Sequence, residues 1–261
     1  ALNGTLRVVH QKVPPPLDPL SVHAMSGSFQ TDEQSGTTES VSLFWVPERN
    51  ATTGEPQASV LVSWNPRPAT LLSLDDPARV RSYFNSAFPK LQGGITLEAA
   101  EQFMTQRSSV NFVNKCSRYH DTDGSVVIMG DAAHSTGGSA GQGCNSALLD
   151  AKVLGEMLID GSKPLPELLE AYSAERVPEG HALLDLAINQ NAKSPFLRVF
   201  FLLLNGLESI GHKLLPTVVS PPTQNLITQS DLPFTEILRR KRWAVETIKE
   251  SNAKYGAYTG D

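Results

Sequence analysis

Apolar and polar residues recur along this chain at two periods, and the change from one to the other predicts where strands give way to helices. Residues 38–46 and 57–64 mix β-branched and aromatic residues at strand length. The segment between Pro47 and Pro56 is rich in turn formers, so residues 1 to about 70 read as antiparallel sheet with a hairpin. Val41, Leu43 and Trp45 alternate with Ser42, Phe44 and Val46. Neither set is cleanly polar, which predicts cover on both faces, one by protein and the other open to a ligand.

Helical spacing takes over from residue 75. Asp75 or Asp76 can cap a helix entered through Pro77, with Val80, Tyr83, Phe84 and Phe88 as its apolar stripe. Thr96 can cap a second, shorter helix with Glu98 in its first turn and an end near Gln106. Residues 110–116 and 125–129 have strand length, and the second run is apolar enough for a buried strand. Past Gly143, the residues Ala147, Leu148, Ala151, Leu154 and Leu158 keep helical spacing until Gly161 ends it. A further helical stretch covers 164–192, with an interruption expected at Pro178. Residues 194–215 are the most apolar, yet Arg198, Asn205 and the His212-Lys213 pair leave them short of the roughly 20 apolar residues needed to span a bilayer. A packed helix is expected there, with a membrane-surface helix as the alternative.

The 261 residues are 40% apolar and 19% charged, as in a soluble globular protein. A net charge of −5 argues against a nucleic-acid partner. The basic run Arg239-Arg240-Lys241-Arg242 is expected to be a solvated helix face, with a membrane or partner contact as the alternative. The two cysteines, Cys116 and Cys144, make no disulfide scaffold and have no metal-ligand spacing, so no metal is expected and an intracellular, reducing location is. Sequons at Asn3 and Asn50 are short patterns that often arise by chance. The chain opens on Ala1 with no signal segment, and the motif described next leads us to expect a missing front half.

That motif spans residues 126–150. Val126-Val127-Ile128-Met129 runs into Gly130-Asp131-Ala132-Ala133-His134, small residues fill 135–140, and Gly141-Gln142-Gly143-Cys144-Asn145 opens the long helix with Asp150 in phase. A strand ending in Gly-Asp delivers a carboxylate that can accept hydrogen bonds from sugar-like hydroxyls. Gly141 and Gly143 let a flat ligand approach the backbone without Cβ interference. The first turn of the helix offers free N–H groups and a positive dipole end, where a group gaining negative charge is stabilised. A reduced flavin meets all three conditions.

In this pattern the chain resembles the second flavin motif of the p-hydroxybenzoate-hydroxylase-like FAD monooxygenases. Features at 84–89, 111–120, 172–186 and 232–243 narrow the resemblance toward the kynurenine 3-monooxygenases. The resemblance implies an α/β fold (an α+β fragment). It would comprise an antiparallel substrate-domain sheet over 1–110, the returning strand and helix of an FAD-binding domain over 111–162, and a helical region over 163–261. It implies that Asp131 binds the ribityl chain, and that Gly130, Gly141, Gln142, Gly143, Cys144 and Asn145 lie against FAD, with Cys144 and Asn145 nearest the ring. NADPH would be the reductant, and O₂ and a small aromatic molecule the substrates, with hydroxylation through a flavin hydroperoxide. His134 is expected to be structural, and no catalytic side chain is identified. The substrate-holding Asn and Tyr of kynurenine hydroxylases fall by spacing on Gln190 and Thr223. The loop places usually taken by proline and aromatics are Gly138, Ser139 and Ala140. No Gly-x-Gly-x-x-Gly loop occurs. Three alternatives stay open: a hydroxylase of another aromatic or isoprenoid-linked ring, a partial chain that does not retain FAD, and, for location, the cytoplasm or the mitochondrial outer membrane surface.

Overall fold

The computed structural model describes residues 5–15, 17–31, 38–64, 67–91, 94–110, 112–137, 141–189 and 192–257. The chain folds as two compact units that divide between Asn111 and Phe112. The first is a five-stranded antiparallel sheet of β1 (Thr5–Gln11), β2 (His23–Gln30), β3 (Thr38–Arg49), β4 (Pro56–Trp64) and β5 (Ser109–Val110), in the order β2-β3-β4-β1-β5. The expected hairpin is β3 with β4, in register from Ser42 opposite Ser63 to Arg49 opposite Pro56.

Three helices accompany the sheet: α1 (Ala69–Ser73), α2 (Pro77–Ala87) and α3 (Leu97–Thr105). Their limits follow from local chemistry. The Asp76 side chain accepts from Ala78 N–H at 3.2 Å, and Thr96 Oγ1 accepts from Ala99 N–H at 3.1 Å. Val41, Leu43 and Trp45 point to the side where Val80, Tyr83, Phe84 and Phe103 are buried, and together they form one apolar core. Burying one such side chain stabilises by about 2 kcal/mol relative to leaving it in water. Gly27 lets β2 reach α2, since a Cβ there would sit 2.4 Å from the Ala87 carbonyl. On the other face Phe44 is 42% exposed, so that face is less covered than the alternation suggested.

The second unit is helical. It contains α4 (Asp131–His134), α5 (Gly143–Asp160), α6 (Leu165–Ile188), α7 (Pro195–Leu214), α8 (Thr223–Gln229) and α9 (Phe234–Ala257). Gly161 ends α5 in the left-handed conformation, with φ of 60°, as its position predicted. Three local expectations change. Residues 125–129 form no ladder, and their pairing is one bridge, Val127 with His120, and two flanking backbone hydrogen bonds. A ladder needs a neighbour of similar length, and the partner segment around His120 turns away at Asp121, where the side chain accepts from Ser125 and Val126 N–H. Among the described residues of the 110–116 run, Val110 belongs to β5, Val113 bridges Thr136, and Asn114 and Cys116 N–H donate to the Ser135 and Ala133 carbonyls without forming a ladder.

Pro178 does not interrupt α6, which runs through it for 24 residues. The helix is pinned on both sides of the proline, by Arg176 reaching Asp150 and by Glu179 accepting from Phe234 and Thr235 N–H at the start of α9. Tertiary packing thereby outweighs the lost helical hydrogen bond. In the basic run, Arg239, Arg240 and Arg242 are exposed, but Lys241 is buried and pairs with Glu208 at 2.8 Å. α7 buries Phe201 against Ala192 and Ile248 while much of its apolar surface stays exposed.

Candidate functional site

The site is built around one turn. Gly130 has φ of 57° and ψ of −140°, a conformation that strains any residue with a side chain. A Cβ here would also lie 2.9 Å from that of Ala147 on α5. The glycine is therefore required twice, for its backbone angles and for close approach to the helix. The next residue, Asp131, starts α4 with its side chain exposed. Asn114 clamps the segment: its Nδ2 donates to the carbonyls of Asp131 and Ala132 at 3.0 and 2.9 Å, and its Oδ1 accepts from Ser135 N–H.

Across from this turn stands the N-terminus of α5. Gln142 precedes it without a side-chain cap, its Oε1 being taken by Asn145 Nδ2 at 2.9 Å. The side chain that usually satisfies first-turn N–H groups is absent. Gly141 has φ of 66°, and a Cβ placed on it would meet nothing within 4 Å among the described residues. Among the described residues, a Cβ on Gly143 would meet only the Asp131 Oδ1, at 3.4 Å. The corner is thus open to a flat group and has a carboxylate at its edge. Cys144 and Asn145 are exposed beside it, while Gln142 is buried. Gln142 and Asn145 also border a groove of about 890 Å³ whose other walls include Arg176, Glu179 and Phe234.

Seven residues singled out from the sequence, Gly130, Asp131, Gly141, Gln142, Gly143, Cys144 and Asn145, therefore come together around this corner. Of the two substrate-holding candidates, only Thr223 lies among the described residues, and it does not join them. Gln190 lies outside the described residues, as do Gly138, Ser139 and Ala140. Thr223 opens α8 and lines a separate cavity of about 490 Å³ with Asn189, Glu208 and Lys241.

Behind the corner is a buried cluster that the sequence motif only partly signalled. Asp150 accepts from Gly130 N–H at 3.0 Å, His134 Nε2 at 2.6 Å and Arg176 Nε at 2.7 Å. Burial alone would raise the Asp150 carboxyl, but the bonds from His134, Gly130 and Arg176 outweigh it and hold the group below the usual carboxylate range. Tyr119 and Tyr172, packed nearby, are pushed well above the usual phenol range by burial and then by the Asp150 charge. Asn114 and Arg176 escaped sequence reasoning as members of the site. Arg176 had one available signal, a charge on the buried face of a helix.

Comparison with known proteins bears on this corner. The family described as "FAD binding domain" matches residues 82–187. The match to this FAD-binding family therefore spans the whole of the corner. Kynurenine 3-monooxygenase of Sus scrofa is 27% identical over 180 residues, covering 68% of this chain and 38% of that protein. Violacein synthase of Chromobacterium violaceum is 30% identical to this chain over 202 residues, covering 74% of the chain and 45% of that protein. The crystal structure of P. aeruginosa PqsL with 2-aminobenzoylacetate overlays with a TM-score of 0.48 at 19% identity, covering 72% of this chain and 47% of that one. The chain thus spans less than half the length of these proteins.

Proposed function

We propose that this chain forms the ribityl and ring side of an FAD site in an NADPH-dependent monooxygenase that hydroxylates a small aromatic substrate. The observation that carries the reading is the open corner between Gly141 and Gly143 with the exposed Asp131 carboxylate beside it. The donor set fits the group. Asp131 offers an acceptor for the hydroxyls of a sugar-alcohol chain. The uncapped start of α5 offers backbone N–H groups and a positive dipole end to the electron-rich edge of a flat ring. Gly141 and Gly143 remove the side chains that would hold such a ring away.

When bound, FAD would supply acceptance of hydride from NADPH and activation of O₂, chemistry that no side chain can provide. The chain's own residues orient and stabilise. Asn114 and Asp150 fix the turn that carries Asp131, and α5 keeps its N-terminus aimed at the ring position. Kynurenine is the substrate this reading favours, on the strength of the likeness to kynurenine 3-monooxygenases. The likeness to violacein synthase, 30% identical over a longer stretch, favours a second reading in which the substrate is a molecule other than kynurenine.

The chain incubated with FAD and desalted is expected to stay yellow. Colourless protein, with a melting temperature that FAD leaves unmoved, would support a chain that does not retain the cofactor. In a protein that joins this chain to the rest of an FAD site, kynurenine is expected to accelerate flavin reduction by NADPH, and no acceleration would reject kynurenine in favour of another ring.

A membrane-surface contact belongs to the same reading. Phe196, Val199, Leu203, Leu207, Ile210 and Leu214 form an exposed row along α7, and exposed Trp243 packs beside Phe200 with Arg239 and Arg242 near it on α9. No helix among the described residues is long and apolar enough to cross a membrane. An apolar stripe edged by an indole and guanidinium groups suits an anionic lipid surface, which is the basis for an intracellular location at a membrane face such as the mitochondrial outer membrane.

A further inference from the structure

One carboxylate ties three elements of the second unit together. Asp150 sits two helical turns into α5, fully buried. Its three donors come from the glycine turn, from α4 and from α6. Around it, Tyr119 Oη, Tyr172 Oη, Ser146 Oγ, His134 Nδ1 and Arg176 Nη2 are buried with no hydrogen-bond partner among the described residues. Such a cluster is a poor means of stabilising a fold. Desolvation offsets most of the attraction between dry charges, and apolar residues of the same volume often do as well or better. Its distinctive property is direction, because each bond to a carboxylate oxygen fixes both a distance and an angle.

That direction is spent on one turn. In the conformation of Gly130 no helix or strand takes its N–H, and Asp150 takes it instead. The Gly130 carbonyl accepts from Ala133 and His134 N–H, each at 2.9 Å. The His134 side chain then returns to the same Asp150 oxygen that holds Gly130 N–H. The turn is gripped from both sides of its peptide, and Asp131 leaves it along a fixed line. Because Asp150 belongs to α5, the same grip sets the spacing between Asp131 and the start of that helix. Gly180 lets α6 come close enough to bring Arg176 in, since a Cβ there would fall 2.1 Å from Tyr119 Oη and 3.0 Å from His134.

We propose that Asp150, His134 and Arg176 are positioning residues for the flavin site, holding Asp131 and the N-terminus of α5 at the separation that the ribityl chain and ring require. The proposal rests on the FAD reading above. None of the three needs to touch the cofactor. His134 acts through Nε2–H, the tautomer required by its carboxylate partner.

The test compares His134→Leu, which removes one grip, with His134→Gln, which keeps a side-chain donor. Two quantities are measured in the whole chain: hydrogen exchange at the Gly130 amide without ligand, and FAD affinity by fluorescence titration. In His134→Leu the Gly130 amide is expected to exchange at least ~10-fold faster and FAD to bind at least ~10-fold more weakly, with a melting temperature within about 4 °C of the original. His134→Gln is expected to restore most of both. Unchanged affinity in the leucine variant overturns the proposal, and so does failure of glutamine to restore it. Should the leucine variant not fold, Asp150→Leu, His134→Leu and Arg176→Met are combined to remove every charge from the cluster. That variant is expected to fold but lose FAD, and original affinity in it overturns the proposal. If the unmodified chain binds no FAD, the flavin reading fails by itself. The Gly130 amide then decides the positioning role, and equal exchange in the original and His134→Leu chains rejects it.

Discussion

Leu43 and Asp150 are both almost wholly removed from water, but the surroundings that bury them differ in kind. Leu43 lies among Trp45, Val60, Val62 and Phe84, in a core whose attraction has no preferred direction. Asp150 lies among donors, each of which must meet it at one distance and angle. Of six buried polar atoms without a partner among the described residues, five are near Asp150 and only Trp45 Nε1 is in the sheet unit. A core of the first kind holds a unit together and tolerates exchange of its members. One of the second kind holds a shape, and tolerates almost nothing.

Removal of the carboxylate is the sharpest way to break this contrast. Asp150→Ala leaves the Arg176 charge buried without its partner, and a loss of about 3–5 kcal/mol is expected in urea unfolding of the second unit. Leu43→Ala should cost about 3 kcal/mol through the cavity it opens, whereas Leu43→Met should cost less than about 1.5 kcal/mol. An Asp150→Asn variant as mild as Leu43→Met would erase the distinction between the two cores.

Acid acts on only one of the cores. The folded-state carboxyl of Asp150 is held below its unfolded value, near 3.9. Its contribution is therefore complete above about pH 4 and is lost as pH falls through the lower, folded value. A melting temperature followed from pH 7 to pH 2 should show a fall at the acid end that becomes shallower in Asp150→Asn. Leu43→Ala should shift the whole curve without changing its acid limb.

Smaller effects come from the surface. Asp131→Ala should change stability by no more than about 0.5 kcal/mol, because the side chain is exposed. FAD affinity in the same variant should fall at least ~10-fold. Leu207→Ser with Leu214→Ser should also leave stability within about 0.5 kcal/mol, while reducing sedimentation with vesicles of phosphatidylcholine and phosphatidylserine. Undiminished sedimentation would reject α7 as the lipid-facing helix.

The two cores also differ in how far the sequence announces them. Asp76, Thr96 and Gly161 mark helix limits because a cap acts within three residues of itself, and each is found where its chemistry places it. The alternation of Val41, Leu43 and Trp45 marks a buried face for the same local reason. Pairing of residues 125–129 could not be read this way, since it depends on a neighbour that turns aside at Asp121. Pro178 misleads because its local preference is overruled by contacts 26 and 55 residues away, those of Arg176 with Asp150 and of Glu179 with Phe234. The glycine corner was legible as a motif, since closely spaced residues of fixed type build it. The clamp by Asn114 was not, because nothing local distinguishes that asparagine from its neighbours, and the grip by Arg176 left a single trace, a charge on the buried face of its helix.

Gly180 carries a practical consequence for anyone who would engineer this chain. Glycine inside a helix normally invites replacement, and alanine there usually gains about 0.5–1 kcal/mol. In α6 the added methyl would enter the space of the Tyr119 hydroxyl and press on the His134 ring. A routine thermostabilising library would therefore score Gly180→Ala as an improvement by helix propensity, and the resulting protein would carry a displaced helix and a loosened turn at Gly130.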